Sequence, residues 1–518
     1  MRGGASPRAR ELTASIRRVS GPVVVILAAG QGTRMRSSTP KLLHSICGRP
    51  MIGWVVAAAR AAGAGKVVVV DAPGEPLRAS LDADIVSVVQ EQPFGTAHAL
   101  RAAEAQIDED ASVIVLNGDV PLITTDTIAA LAHAQADTDA AATILTATVE
   151  DPTGYGRVVR AADGSVEQVV ETKRPADAKP AELQIREINS GVYAFAGGAL
   201  LEALALVGKD NAQGEYYLPD VLPILRGQGH LVTALELEDV DETLGINDRV
   251  QLAAVRAVAQ RRINEALMLG GATIVDPANT VIDVDVTLAS DTLIEPGTAL
   301  HGSTSVGEGS TIGPHTTLTD TTVGRDSEVV HSYSTGATIG DRVSVGPFSY
   351  LRPGTVLRDG SKVGAFVEIK SSEVGARTKV PHLSYIGDAT IGEDTNIAAS
   401  TITANYDGYA KHRTKIGSRV HTAVDTTFVA PVEIGDDAWT AAGSVITDDI
   451  PDGELGIARA RQTNIEGYAE RVRARHKGDA DAPSNTDADA PSNTDADAPS
   501  NTDADAPSDT SHTSEHRA

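Results

Sequence analysis

Residues 338–370 read TIGDRVSVGPFSYLRPGTVLRDGSKVGAFVEIK, and in them Ile339, Val345, Leu351, Leu357, Val363 and Ile369 fall six apart without a break. Val374, Val380 and Ile386 continue the spacing after one slip, and Ile391, Ile397 and Thr403 after another. Glycine follows many of these aliphatics, as in Ile312-Gly313, Val323-Gly324, Ile339-Gly340, Val363-Gly364, Ile391-Gly392 and Ile434-Gly435. Such hexapeptides mark a parallel β-helix, in which one aliphatic per six residues fills the interior and a small or αL-tolerant residue turns each corner. Roughly eighteen residues would make one triangular coil. An irregular β-rich domain is the alternative, and the unbroken run argues against it.

Before this region, residues 248–268 (DRVQLAAVRAVAQRRINEALM) contain no Gly or Pro and predict a long connecting helix ended by Gly270-Gly271. Residues 21–249 alternate apolar strands with helical stretches. Strands are expected at Val23–Leu27, Lys66–Asp71, Ile85–Val89, Val113–Asn117, Ala141–Val149, Gly191–Phe195 and Leu231–Leu235, with helices in segments such as Met51–Gly63 and Gly95–Ala105. This alternation implies a mostly parallel sheet with crossover helices, whose ligands bind beyond the carboxyl ends of the strands. There, after Val23-Val24-Val25-Ile26, comes LAAGQGTRMRSSTPK, Leu27 to Lys41. Its glycines let backbone N–H groups close around phosphates, and Arg34 and Lys41 add fixed positive charge. The pattern is neither GxxxxGK[ST] nor GxGxxG. A plain strand–turn–helix with incidental basic residues is the competing reading.

The formal net charge of -26 argues against nucleic acid as a main partner, because a phosphate backbone needs a basic face. Residues 478–518 hold ten acidic residues and one basic, yet the rest of the chain is still acidic, so basic residues clustered in a pocket stand out. Hydrophobic residues make up 41% and aromatics 3%, which gives ample apolar content for large cores built from small and β-branched side chains. The one cysteine, Cys47, allows no intramolecular disulfide and points to a reducing cytosol. Arg2, Arg8, Arg10, Arg17 and Arg18 are followed by no apolar h-region, and no window of about 18 apolar residues exists, so neither signal peptide nor membrane span is expected. Residues 1–20 read as a flexible extension or an upstream choice of start codon. After a short helix expected at Asn464–His476, residues 479–510 contain four copies of DADAPS(N/D)T. That tract has almost nothing to bury and is expected to be a disordered solvated tail, with partner binding as the alternative.

The order G-x-G-T-R-M, then P-K, resembles the signature of sugar-phosphate nucleotidyltransferases. Combined with a hexapeptide domain, it is similar to one bacterial family: N-acetylglucosamine-1-phosphate uridyltransferases joined to glucosamine-1-phosphate N-acetyltransferases. The resemblance covers about residues 21–470 and implies an α/β fold class, with a Rossmann-like mixed sheet followed by a left-handed parallel β-helix. The implied domains are a flexible extension (1–20), a uridyltransferase domain (21–249), a linker helix (250–271), a β-helix acetyltransferase domain (272–470) and an acidic tail (471–518).

For the first site the resemblance implies that Leu27, Ala28, Ala29 and Gly30 seat the uracil and ribose, that Gln90, Gly95 and Thr96 of QEQPFGTAHA read the base, and that Arg34 and Lys41 act on the transferring phosphates. Asn117, Gly118 and Asp119 of LNGDVPL follow an apolar strand, where a metal-binding aspartate belongs. By resemblance Asp119 shares one Mg²⁺ with Asn247 of GINDRVQLA; a turn former or helix cap is the bland reading of the same residue. Gly156, Glu171 and Asn189 match acetamido-sugar contacts, and NAQGEYYLPD (211–220) a loop and helix cap near them. Gln31 departs from the lysine of many relatives, which removes a phosphate-side charge.

For the second site, acetylation of an amino sugar needs a base and an anchor for the sugar phosphate. His382 in KVPHLSYIGDATIG is the candidate base, where a lone loop histidine is otherwise a surface residue. Arg352, Lys370 and Lys411 match the phosphate-binding cluster, Tyr385 and Asn396 the sugar contacts, and Glu368 and Asn405 the supports of the histidine. Ala399, Asn405, Tyr406, Val424, Ala442 and Arg459 match the acetyl-CoA groove. Relatives read NIGAGTIT where this chain has Asn396-Ile397-Ala398-Ala399-Ser400-Thr401, and Gly-Ser where it has Ala423-Val424. Added methyls crowd a narrow channel and a lost hydroxyl removes a hydrogen bond, so a weaker acetyltransferase is expected.

The implied function is synthesis of UDP-N-acetylglucosamine, a cell-envelope precursor, from glucosamine-1-phosphate, acetyl-CoA and UTP by way of N-acetylglucosamine-1-phosphate. The resemblance also implies a cytoplasmic homotrimer built through the β-helix, with no nucleic-acid or membrane partner. The alternative keeps uridyl transfer with a weakened or inactive acetyltransferase. Translation-initiation exchange-factor subunits combine the same folds without catalysis, but lack the Arg34/Lys41 and Asp119/Asn247 set.

Overall fold

A computed structural model describes residues 21–172, 178–209 and 214–480. The expected extension at 1–20, part of the 211–220 loop and the repeat tail from 481 onward lie outside the described residues. The chain divides into one body up to Arg459 and a second from Ala460.

Runs of β-branched residues build the first sheet. Val23–Leu27 (β1), Lys66–Asp71 (β2), Val86–Val89 (β3) and Ser112–Asn117 (β4) pair in parallel. Ala142–Thr148 (β5) stands beyond them. The hairpin Arg157–Arg160 (β6) and Val166–Val170 (β7) leads into Glu187–Ala196 (β8), which lies antiparallel between β4 and β5. Val232–Glu236 (β9) closes the order β9-β5-β8-β4-β1-β2-β3. The sheet is therefore mixed, and the β6–β7 hairpin is additional to the strands expected from the sequence.

Both faces of this sheet are covered, which is why its strands read as unbroken apolar runs. Val24, Ile26, Val67, Val69, Ile114 and Leu116 share one core with residues of α1 (Met51–Ala61) and α3 (Thr125–Thr138). Their neighbours Val23, Val25, Val68, Val70, Val113 and Val115 share the other with α2 (Thr96–Ala102), α4 (Gly197–Leu206) and α5 (Val221–Gly227). The long helix α6 spans Arg249–Leu269, and its N-cap Asp248 accepts from the N–H groups of Val250 and Gln251 at 2.9 Å each. It carries the chain into the β-helix: Gln260 Nε2 donates to Ile282 O at 2.9 Å, and buried Asn264 donates to Pro277 O at 3.0 Å. Cys47 is buried at this junction, and burial together with the nearby Asp283 charge pushes its thiol up to about 11.

From Thr273 the chain forms three parallel sheets of 7, 10 and 9 short strands. The hexads stack in register, as Ile294 on Ile312, Leu300 on Leu318 and Leu351 on Ile369, and form one continuous apolar core. A second ladder runs beside it. A buried Ser or Thr stands two residues before each of many core aliphatics, as Ser310 before Ile312 and Ser327 before Val329. Ser310 Oγ donates to Gly324 O at 2.7 Å and accepts from Ser327 N at 2.9 Å; Ser327 Oγ donates to Gly340 O at 2.8 Å and accepts from Val343 N at 3.0 Å. One coil is longer than its neighbours, because residues 405–413 loop out between the strands Ile402–Ala404 and Thr414–Ile416. The second body holds α7, Tyr468–Ala480, which starts four residues later than expected. Among the described residues no helix is long and apolar enough to cross a membrane.

Ile369 is fully buried, and Ile369→Ala opens a cavity between Leu351 and Ile386. The expected loss is about 2–5 kcal/mol by equilibrium chemical unfolding. Val281→Ala, at a half-exposed position of the same β-helix, should cost less than about 0.5 kcal/mol.

Two candidate active sites

Strands β1 and β4 end side by side, with Leu27 paired to Asn117 and Gly118 N donating to Leu27 O at 2.9 Å. Beyond these ends lies a cavity of about 320 Å³ whose lining includes Leu27, Ala28, Ala29, Gly30, Lys41, Gln90, Gly95, Thr96, Asn117, Asp119 and Glu171. A neighbouring cavity of about 230 Å³ is lined by Gly156, Glu171, Asn189 and Tyr193, and shares Leu27, Thr96, Asn117 and Glu171 with the first. The residues expected to hold the nucleotide and those expected to hold the sugar thus line two halves of one concavity.

Charge is concentrated at its edge. Lys41 Nζ donates to Asp119 Oδ2 at 2.7 Å and to Asn247 Oδ1 at 3.2 Å, while Arg34 donates to Asn247 Oδ1 at 2.8 Å. The Lys41 side chain is only 9% exposed, so water screens this pair less than a surface ion pair. Four residues from three separate segments therefore meet as the motifs suggested. Both carbonyl-type oxygens, Asp119 Oδ2 and Asn247 Oδ1, already sit around one cationic nitrogen. Among the described residues no group of three or more His, Cys, Asp or Glu side chains could hold a metal ion.

Two glycines are dictated by close approach. Gly95 has φ 109°, and a Cβ there would stand 2.5 Å from Tyr216 O; Gly191 has φ 79°, and a Cβ would stand 2.4 Å from Asn117 Nδ2. The register of β8 against β5 shifts between Asn189 and Tyr193, and Asn189 Nδ2 donates to Tyr193 Oη at 2.7 Å. Bulges of this kind re-aim a side chain beside a site. Asp220 stands at the N-cap position of α5 without making a side-chain cap. Burial first, and then the nearby Glu171 charge, raise its carboxyl above the ordinary range.

In the β-helix, the amides Ser400 N, Asp425 N and Gly443 N donate to His382 O, Ala399 O and Val424 O at 3.3, 3.0 and 2.9 Å. His382, Ala399, Val424 and Ala442 consequently occupy the same corner position in four successive coils. Arg459 lies over Gly443 at the end of this column. Val424 is 48% exposed, so its extra methyls face outward. Leu383 beside His382, and Phe366 and Phe348 on the two coils below, stand at the same corner, each at positive φ and each more than half exposed.

On the adjoining sheet Glu368 pairs with Tyr385, and Lys370 with Gly387. Arg352 donates to Glu368 Oε1 at 2.9 Å, and Lys370 Nζ lies 3.2 Å from Asp388 Oδ2. Lys411 reaches Lys370 from the 405–413 loop, and the hydrogen bond and charge of that second ammonium hold its pKa below the usual lysine value. Arg352, Lys370 and Lys411 therefore converge. Within this chain Glu368 is engaged by Arg352, and Asn405 Nδ2 donates to Asp388 Oδ2 at 2.5 Å. Asp388, which no motif singled out, is the hub that ties Lys370 to the loop. Asn396 stands on another sheet, bridged to Lys379 and His421. Asn405 and Tyr406 lie at the opposite end of their sheet from the Ala399–Ala442 column.

A nucleotide-sized cavity at the strand ends of an α/β sheet, followed in one chain by a hexapeptide β-helix with a basic corner, defines a nucleotidyltransferase fused to an acyltransferase. Residues 24–213 match the MobA-like NTP transferase domain, and residues 336–371 the bacterial transferase hexapeptide (six repeats). The chain is 48% identical over 463 residues to the bifunctional protein GlmU of Corynebacterium efficiens, which covers 88% of this chain and 95% of the relative. It is 50% identical over 457 residues to that of Streptomyces coelicolor (87% and 94%) and 49% over 460 to that of Mycolicibacterium vanbaalenii (87% and 93%). The chain belongs to the GlmU family of bifunctional enzymes, with nucleotidyltransferase and acetyltransferase activities in one polypeptide.

Asp388→Ala should release the 405–413 loop. Amide exchange across residues 405–413 is expected to accelerate about tenfold or more by mass spectrometry, while Tyr385–Gly387, held by strand pairing, keeps its protection.

Proposed function

We propose that residues 21–249 transfer uridylate from UTP to N-acetylglucosamine-1-phosphate with loss of pyrophosphate, and that the β-helix domain (272–470), joined by the linker helix 250–271, first acetylates glucosamine-1-phosphate from acetyl-CoA. The product, UDP-N-acetylglucosamine, supplies envelope precursors. The observation that carries this reading is the convergence of Arg34, Lys41, Asp119 and Asn247 at the mouth of a two-part cavity.

In uridyl transfer a sugar-phosphate oxygen attacks the α-phosphorus of UTP and pyrophosphate departs, chemistry that needs alignment and neutralised charge more than a covalent nucleophile. Leu27–Gly30, Gln90, Gly95 and Thr96 hold the uridine, Gly156, Glu171 and Asn189 the acetamido sugar, and Arg34 and Lys41 the phosphates. Asp119 and Asn247 fit Mg²⁺, which takes few protein ligands and supplies neutralisation of the phosphate charge when bound. In acetyl transfer His382 removes a proton from the sugar ammonium, the freed amine attacks the thioester carbonyl, and CoA leaves as the thiol. Arg352, Lys370 and Lys411 anchor the sugar phosphate.

The separation of Asn396, Asn405 and Tyr406 from the Ala399–Arg459 column, together with the exposed Phe348–Phe366–Leu383 ridge, supports a homotrimer in which neighbouring chains complete the second site. A cytoplasmic location fits the single buried cysteine and the phosphorylated substrates. No finding favours loss of the acetyltransferase.

Lys41→Ala is expected to lower uridyl transfer by at least about a hundredfold while sparing acetyl transfer, and His382→Ala to do the reverse by about 10²–10⁴. Separate assays of pyrophosphate release and of free CoA thiol decide the matter; joint loss in either variant would show that the sites are not independent.

A further inference from the structure

Gln90 is 5% exposed and borders the larger cavity. Its amide nitrogen is committed twice: Nε2 lies 3.2 Å from Gly95 O and 3.1 Å from His98 Nδ1. A backbone carbonyl can only accept, so the Gly95 contact identifies the nitrogen end of the amide. His98 Nδ1 must then accept as well, which places the ring proton of the neutral imidazole on Nε2. With both N–H bonds used, Gln90 offers a ligand only the acceptor Oε1.

His98 cannot easily turn away from this role. Its ring lies between Phe94, edge-on at 5.3 Å between centroids, and Tyr216, near-parallel at 6.1 Å. Tyr216 is itself fixed, since Tyr216 N donates to Phe94 O at 2.8 Å and Ala97 N to Tyr216 O at 2.9 Å, and the Arg101 guanidinium covers its ring at 4.6 Å. The Gln90 backbone is pinned by its N–H to Asp71 O at 2.9 Å.

We propose that His98 is a specificity-determining positioning residue of the uridyl site: by holding the Gln90 amide nitrogen it leaves Oε1 toward the base, where it accepts from the N3–H of uracil and opposes the unprotonated N3 of cytosine. The proposal rests on the reading that Gln90 meets the base. A site built to bond a substrate N–H discriminates strongly against an analogue lacking it, because the buried polar group is then left unpaired or faces a second lone pair. With His98 gone, one N–H of Gln90 loses its acceptor and the amide is free to rotate, presenting a donor that suits cytosine.

The test compares kcat/KM for UTP and CTP, with N-acetylglucosamine-1-phosphate as acceptor, in the full chain and in His98→Ala, His98→Phe and Gln90→Ala. His98→Phe keeps an aromatic ring between Phe94 and Tyr216 and lacks only the acceptor. Thermal unfolding of the same preparations reports folding of the chain. The UTP:CTP ratio should fall about tenfold or more in both His98 variants, in part through a gain with CTP, and at least as far in Gln90→Ala. A ratio within about twofold of wild type in a folded His98 variant, alongside a collapsed ratio in Gln90→Ala, would overturn the role of His98 and leave the reading of Gln90 standing. An unchanged ratio in Gln90→Ala would overturn both.

Discussion

Each coil of the β-helix has to bury an aliphatic and still satisfy the backbone amides beside it, and the rest of the C-terminal half depends on how that is done. Buried Ser and Thr hydroxyls two residues ahead of many of the aliphatics bond the next coil twice, donating to one of its carbonyls and accepting from one of its amides, as Thr378 does toward Gly392 O at 2.6 Å and Thr395 N at 3.0 Å. An unpaired buried amide or hydroxyl would cost about 1–3 kcal/mol per coil. Because the strands of successive coils stack in register, corner residues far apart in sequence fall into straight columns. The column of His382, Ala399, Val424 and Ala442 is a direct consequence, as is the apolar ridge beneath it.

The first site follows a different logic. Its sheet is buried on both faces, and the catalytic candidates come from the loops after β1 and β4 and from the residues that lead into α6. Asp119 and Asn247 are held by the Lys41 ammonium and, through Asn247, by Arg34. The cluster's two cations face one carboxylate, so a net positive charge is already placed at the mouth of the cavity that would receive phosphates.

Much of this was legible in the sequence. The hexad period located the β-helix core through both slips, and the apolar runs located the main strands within a residue or two, except β8, which begins at Glu187 and not at Gly191. The β6–β7 hairpin was not, since RVVR and VEQVV are brief and carry charges at the positions where strand pairing would show. Motif position says which coil a residue occupies but not which neighbour it pairs with, so the pairing of Glu368 with Arg352 and of Asn405 with Asp388 was not legible. Asp388 and His98 went unseen for a similar reason. Each hydrogen-bonds other side chains, Asp388 to Lys370 and Asn405 and His98 to Gln90, a relation set by tertiary contact and invisible to spacing.

The most direct measurement of the central claim is product formation by the purified full chain supplied with glucosamine-1-phosphate, acetyl-CoA, UTP and Mg²⁺, with each omitted in turn. The account predicts UDP-N-acetylglucosamine only in the complete mixture, with N-acetylglucosamine-1-phosphate restoring product when acetyl-CoA is left out. Product in the absence of both acetyl-CoA and the acetylated sugar, or none in the complete mixture, would contradict it.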